Sequence, residues 1–95
     1  MLFVISCTDR PDALERRMAV MEAHKAYVSA KPIKVQLSGP LTSDDGETIV
    51  GSFFMVEAAN RAEVETFQRN DPLFNADVWS STDVRAFAKR IDNRD

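Results

Sequence analysis

Hydrophobic positions along the chain follow two different periods, and these predict four strands and two helices. Residues 33–38 alternate between apolar and polar side chains, as in a half-buried strand, before Gly39-Pro40 interrupts the pattern. Asp45-Gly46 is the strongest hairpin signal in the chain. A bulge is predicted near 80–83. The four strands are expected at 2–7, 33–38, 48–57 and 78–88.

The first helix is predicted over residues 12–29, where no Gly or Pro occurs. Pro11 suits the first turn of a helix, and Lys31-Pro32 ends it, because the residue before proline avoids the helical region. At 100° per residue one apolar side would face the sheet. This side carries Leu14, Met18, Met21 and Val28, with Ala13, Val20 and Tyr27 beside it.

The second helix is predicted to begin at Asn60 and to stop at Asn70-Asp71-Pro72. Asn60 and Glu63 have the spacing of a capping box, with Asn in place of the usual Ser or Thr. Val64 and Phe67 would face the sheet. Residues 73–77 would form a loop or a short turn.

The order β-α-β-β-α-β predicts a single α+β domain over residues 1–95 with a ferredoxin-like fold. In that fold two helices cover one face of an antiparallel sheet. The strand over 49–56 is apolar on both sides, so the other sheet face also needs cover. In a chain of 95 residues the simplest cover is a second copy, and we expect a homodimer packed sheet to sheet.

The amino-acid composition of the chain disfavours several classes of function. A net charge of −3 disfavours nucleic-acid binding, which usually needs a basic face. No apolar run is long enough to span a membrane, and residues 1–7 lack the basic start of a signal peptide. Cys7 is the sole cysteine, so an internal disulfide is excluded and a reducing, cytoplasmic location is expected. With one His, one Cys and three isolated glycines, we predict no metal site and no cofactor.

His24 is the only histidine and lies within the apolar arc of the first helix, with Arg17 seven residues earlier on nearly the same line. Buried polar groups require partners, and a helix over a sheet often leaves a cleft that such groups would line. One interpretation is a general acid or base, with Arg17 binding a carboxylate or stabilising an enolate. The other is a structural histidine bonded to a backbone carbonyl, with Arg17 reaching the rim.

Asp71-Pro72 also supports two interpretations. An aspartate before proline is a good helix or turn start, because its side chain accepts backbone N–H bonds. Alternatively, its carboxylate bonds one imidazole nitrogen of His24 and fixes the tautomer.

Two dipeptides that begin with glycine lie at the ends of neighbouring strands, Gly39-Pro40 and Gly51-Ser52. Such glycines permit close approach of a ligand, with Ser52 donating to a substrate oxygen, or they mark bulges. Cys7 is interpreted as a small buried apolar residue rather than a nucleophile. Trp79 and Phe74 are assigned to packing.

Several of these motifs, in this order and spacing, resemble those of the YCII-related (YciI-like) family. The resemblance covers nearly the whole chain. Two positions depart from the family pattern, Leu73 in place of an aromatic and Asp77 in place of a glycine. The matching motifs are Arg17-x6-His24-x2-Tyr27, Gly39-Pro40-Leu41, Gly51-Ser52, Glu57-Ala58, Asp71-Pro72-Leu73 and Ala76-Asp77-Val78.

The resemblance implies a dimeric α+β barrel, similar in architecture to muconolactone isomerase, with an active site built on a His–Asp pair. Carried over by position, the pair is His24 and Asp71, with Ser52 and Gly39-Pro40 nearby. The predicted function is proton transfer of isomerase or lyase type on a small, cyclic or aromatic-derived acid. The alternative is a non-catalytic dimer that binds a small metabolite through the same pocket.

Overall fold

The computed structural model describes residues 1–94. Four strands are present in this part of the chain, β1 (Leu2–Asp9), β2 (Lys34–Thr42), β3 (Ile49–Glu57) and β4 (Trp79–Phe87). Four helical segments accompany them, α1 (Leu14–Ala19), α2 (Met21–Ser29), α3 (Arg61–Arg69) and α4 (Pro72–Asn75).

The strands form one antiparallel sheet in the order β2-β3-β1-β4, with the helices on one face. This is the ferredoxin-like α+β fold, as predicted. None of the helices described in residues 1–94 has the length and hydropathy of a membrane-spanning segment.

The core lies between the helices and one face of the sheet. This face is formed by every second residue of β1 and β3. Phe3, Ile5 and Cys7 point inward from β1 because successive side chains of a strand alternate between faces. Val64 and Phe67 meet them from α3, as predicted.

No helix or strand among residues 1–94 covers the other sheet face, although the terminal residues 89–94 run beside Leu37, Met55 and Phe87 there. Leu37 of β2 pairs with Met55 of β3, which pairs in turn with Val4 of β1. Leu37 and Phe87 are both more than one-third exposed. An apolar sheet face therefore remains open, and we call the surface of Val4, Leu37, Phe53, Met55 and Phe87 the open face.

The predicted first helix is divided at Val20. The ψ angle of Val20 is 8°, far from the value of about −42° in a regular helix, so the regular helix is interrupted between α1 and α2. The predicted sheet-facing side is also wrong for Leu14 and Met18, which are 61% and 58% exposed. The buried stripe instead carries Ala13 and Arg17, because Arg17 finds a charged partner inside.

The strand β2 continues through Gly39-Pro40, which the sequence pattern had predicted to interrupt it. Gly39 pairs with Phe53 and Pro40 pairs with Ser52. A proline is tolerated here because β2 is an edge strand and needs fewer ladder hydrogen bonds. The register shifts of β2 lie next to Gln36 and Thr42, not at Gly39.

The bulge predicted near 80–83 is confirmed by the shift between Thr8 and Asp9 on β1, which leaves Ser80 without a partner in the β1–β4 pairing.

Candidate active site

The structure brings His24 and Asp71 together across 47 positions of sequence. The Nδ1 atom of His24 lies 2.9 Å from Oδ1 of Asp71 and 3.1 Å from Oδ2. The Asp71 side chain is 1% exposed and the His24 side chain 17% exposed. Because a carboxylate accepts hydrogen bonds, we assign the imidazole hydrogen to Nδ1, which leaves the lone pair on Nε2.

Asp71 also begins α4. Its Oδ1 accepts a hydrogen bond from the backbone N–H of Leu73 at 2.8 Å, and Pro72 occupies the first turn of the helix. The two interpretations of Asp71-Pro72 are thus both realised in one side chain. Helix capping fixes the carboxylate, and the fixed carboxylate orients the imidazole.

His24 lines a cavity of about 300 Å³ between the helical layer and the β2–β3 part of the sheet. Its Nε2 atom makes no hydrogen bond to residues 1–94. Phe54 packs its ring edge-on to the imidazole, with the ring centroids 6.1 Å apart. The cavity lining is completed by Arg17, Met18, Met21, Lys25, Ser38, Gly39, Pro40, Ile49, Ser52 and Phe54.

Arg17 lines the same cavity but is already paired within the protein. Its Nε donates to Oδ2 of Asp9 and its Nη2 donates to Oδ1, both at 2.8 Å. The side chains are 3% and 8% exposed. The carboxylate that Arg17 binds in this structure is therefore that of Asp9. None of the hydrogen bonds among residues 1–94 uses the Nη1 atom of Arg17, so this group can donate elsewhere.

Ser52 lies beside Arg17 at the cavity. Its Oγ accepts a hydrogen bond from Arg17 Nη2 at 2.8 Å, and the neighbouring Gly51 carbonyl accepts from the same nitrogen at 3.2 Å. Gly39 and Pro40 of the adjacent strand also line the cavity. All six residues proposed from the sequence thus lie at or around one cavity.

Gly51 has a structural reason to be glycine. A Cβ atom at this position would lie 2.1 Å from the carbonyl oxygen of Cys7 on β1. The close approach of β1 and β3 therefore needs a residue without a side chain.

Two titratable groups near the site are held in their neutral forms. Burial raises the pKa of the Cys7 thiol to about 12, so the interpretation of Cys7 as a buried apolar residue agrees with its environment. Burial, and then the negative charge of Asp71, raises the pKa of Tyr27. The Tyr27 hydroxyl donates to the carbonyl oxygen of Phe67 at 2.8 Å.

Asp9 is the residue that sequence reasoning missed. Phe3, Ile5 and Cys7 mark the inward positions of β1, and Asp9 is the next inward position in that alternation. That period-two pattern was the signal that could have found it. Within residues 1–94, no cluster of three or more His, Cys, Asp or Glu side chains could hold a metal ion.

The fold and the site define a small α+β protein with a buried His–Asp pair that opens into one cavity. A family model described as the YCII-related domain matches residues 1–88. The protein YciI of Escherichia coli O6:H1 is 30% identical over 101 residues, covering 94% of this chain and 98% of that protein. An uncharacterized protein of Haemophilus influenzae is 29% identical, with the same coverage. The chain belongs to the YCII-related family.

Solved structures extend this comparison. The 5-chloro-2-hydroxyhydroquinone dehydrochlorinase TftG from Burkholderia phenoliruptrix AC1100, in complex with 2,5-dihydroxybenzoquinone, is 36% identical with a TM-score of 0.83. The alignment covers 93% of this chain and 94% of TftG. An antibiotic biosynthesis monooxygenase is 16% identical with a TM-score of 0.57, covering 96% of this chain and 100% of that one. At that identity the likeness shows the fold alone.

Proposed function

We propose that this protein is a small acid–base enzyme in which His24 and Asp71 move a proton on a small, cyclic or aromatic-derived acid. The observation that carries the proposal is the 2.9 Å contact between His24 Nδ1 and Asp71, combined with an unbonded Nε2 at the cavity. An imidazole held in one tautomer by a buried carboxylate is a general base through its other nitrogen.

The proton transfer follows from the positions of these groups. Neutral His24 accepts a proton through Nε2 from a carbon or hydroxyl of the substrate, and the electron pair moves onto a conjugated oxygen. The Ser52 hydroxyl and Arg17 Nη1 can donate hydrogen bonds to that developing charge. In an isomerase the electron pair then moves back from the oxygen and the imidazolium returns the proton to another carbon. In a lyase the electron pair moves back as the leaving group departs with its bonding pair, and the imidazolium gives its proton to the leaving group or to solvent.

Asp71 supports both states of the imidazole. It holds the Nδ1–H tautomer before the transfer, and its negative charge stabilises the imidazolium that forms afterwards. The buried, backbone-bonded carboxylate keeps this geometry without reorganising during the reaction.

The cavity supports a ligand of one ring. A volume of about 300 Å³ lies at the lower end of small-molecule sites. Phe54, Met18 and Met21 supply apolar walls, and Lys25 supplies a cationic group in the lining. TftG, whose ligand is a dihydroxybenzoquinone, shares 36% identity with this chain. These features favour hydroxylated, ring-shaped acids as substrates.

The test uses two compounds. 2,5-Dihydroxybenzoquinone is titrated calorimetrically to measure binding, and 5-chloro-2-hydroxyhydroquinone is supplied as substrate while chloride release is measured. In His24→Gln we expect turnover to fall by about 10²–10⁴-fold. Glu65→Gln, at an exposed position of α3 away from this cavity, is the control and should retain full activity.

Three outcomes separate the alternatives. Chloride release that depends on His24 supports the enzyme. Binding with the compounds recovered unchanged indicates the non-catalytic metabolite-binding dimer. Equal turnover in His24→Gln and in the unmodified protein contradicts the proposed role of His24.

We also propose that the protein forms a homodimer through the open face. Leu37 and Phe87 are 44% and 40% exposed there, beside Val4, Phe53 and Met55. Contiguous apolar surface of this kind marks an interface, and the same surface on two copies is self-complementary under two-fold symmetry.

A further inference from the structure

We infer that Asp9 is a positioning residue that fixes Arg17 so that Ser52 presents its hydroxyl hydrogen to the ligand. The inference rests on the proposed function, because it concerns how the same cavity recognises an oxygen anion of its ligand. It adds Asp9 to the site and gives the buried ion pair a role in recognition.

Asp9 determines which way the guanidinium faces. Two parallel hydrogen bonds of 2.8 Å join its carboxylate to Nε and Nη2 of Arg17. Such a bidentate pair fixes both the position and the plane of the guanidinium. The Gly51 carbonyl oxygen also accepts a hydrogen bond from Nη2, at 3.2 Å. The Nη1 group is then the one part of the guanidinium without a partner among residues 1–94.

Ser52 receives its orientation from Arg17. Arg17 Nη2 donates to Ser52 Oγ at 2.8 Å, and a guanidinium has no acceptor to offer in return. The serine hydrogen therefore points away from Arg17, and no residue among 1–94 accepts it. Because Ser52 lines the cavity, the free hydrogen is available to a ligand there. The positive charge on the acceptor side also strengthens the hydroxyl as a donor.

Asp9 further sets the charge of this part of the site. Arg17 is 3% exposed, and an unpaired cation at that depth is strongly destabilised. With Asp9 present the pair is neutral, so Arg17 is not drawn towards the other buried carboxylate, Asp71. Each of the two carboxylates thus binds one side chain that lines the cavity. Asp9 binds Arg17, and Asp71 binds His24.

The experiment is a double-mutant cycle with 2,5-dihydroxybenzoquinone as the probe, in the full chain. Asp9→Asn, Ser52→Ala and the double variant are titrated calorimetrically, and circular dichroism verifies their folding. Asp12→Asn is the control, since Asp12 is an exposed carboxylate near the same helix. We expect each single variant to weaken binding about ten- to hundredfold. We expect the double variant to bind about as weakly as Asp9→Asn alone, because both act through one hydrogen bond.

The inference is overturned if folded Asp9→Asn binds the probe with unchanged affinity. It is also overturned if the losses of affinity in the two single variants multiply in the double variant. If Asp9→Asn does not fold, Asp9→Glu retains the charge while displacing the carboxylate by one methylene. Weaker probe binding in Asp9→Glu is expected, and full affinity contradicts the positioning role.

A ligand-free measurement separates this inference from the proposed function. Hydrogen exchange of Arg17 Nε–H, followed by NMR, should be slow in the unmodified protein and in Ser52→Ala. It should become at least tenfold faster in Asp9→Asn or Asp9→Glu. Absence of probe binding by the unmodified protein rejects the proposed ligand class alone. Equal Nε–H protection in all variants rejects the role of Asp9, whatever the probe does.

Discussion

Asp71 binds His24 Nδ1 with the same carboxylate that caps α4, so one buried side chain sets both a helix start and the tautomer of an imidazole. The two roles can be separated by substitution, because a serine can cap a helix but is too short to replace the carboxylate at His24. This relationship gives the first prediction.

In Asp71→Ser we expect the helix cap to persist and the His24 tautomer to become mixed. In spectra recorded at a pH high enough for the imidazole to be neutral, the unmodified protein should show a single tautomer with its hydrogen on Nδ1, visible by long-range ¹H–¹⁵N correlation. His24 is the only histidine, so its signals need no assignment by mutation. A pure Nδ1–H tautomer in the variant would show that something other than Asp71 orients the ring.

In Gly51→Ala we expect unfolding free energy to fall by about 1–3 kcal/mol or more, because the new Cβ would meet the Cys7 carbonyl oxygen. Gly39→Ala is the matched control, since a Cβ there finds no atom within 4 Å. Its effect should stay within about 0.5 kcal/mol. Urea denaturation measures both, and equal stabilities would contradict the close β1–β3 approach.

The raised pKa of Cys7 predicts a loss of stability at alkaline pH. The unfolded thiol ionises near its ordinary value of 9.0, whereas the folded thiol keeps its proton to about 12. Between these values the folded state binds more protons, so stability declines as pH rises. Urea unfolding at pH 8 and pH 10.5 should show a smaller decline for Cys7→Ala. The same decline in both proteins would mean that the folded thiol ionises normally.

In Leu37→Asp we expect the proposed dimer to dissociate, because a charge would be buried within an apolar interface. Leu14→Asp is the control, since Leu14 is an exposed leucine in the helical layer, away from the open face. Light scattering coupled to size-exclusion chromatography measures the mass of each. A monomeric unmodified protein, or a dimeric Leu37→Asp, contradicts the proposed interface.

Local signals in the sequence predicted much of the fold. The alternation of β2, the apolar runs of β1 and β3, the hairpin at Asp45-Gly46 and the cap at Asn60 all depend on residues close together in the chain. The Asn60 side chain accepts from the Glu63 N–H, and the Glu63 carboxylate accepts from the Ala59 N–H, as the capping spacing indicated. These features are decided by backbone preferences within a few residues.

The candidate site was predicted in its members and in one of its connections. The pairing of His24 with Asp71 was one interpretation of the residues that the family resemblance then favoured, and their contact spans 47 positions. Arg17 was interpreted either as a ligand-binding group or as a side chain that reaches the rim, and its partner Asp9 was not foreseen. No local pattern specifies which buried cation meets which buried anion, since that depends on how helices pack on the sheet.

The sequence by itself determined the order of the elements, the antiparallel α+β class and the residues available for acid–base chemistry. Tertiary structure alone decided that Leu14 and Met18 lie outside, and that Arg17, which the sequence placed on the line of His24, is buried against Asp9. A hydrophobic pattern favours burying the leucine and methionine. It was overridden because Arg17 gains two charge-assisted hydrogen bonds from Asp9, which become available only after β1 and α1 pack together.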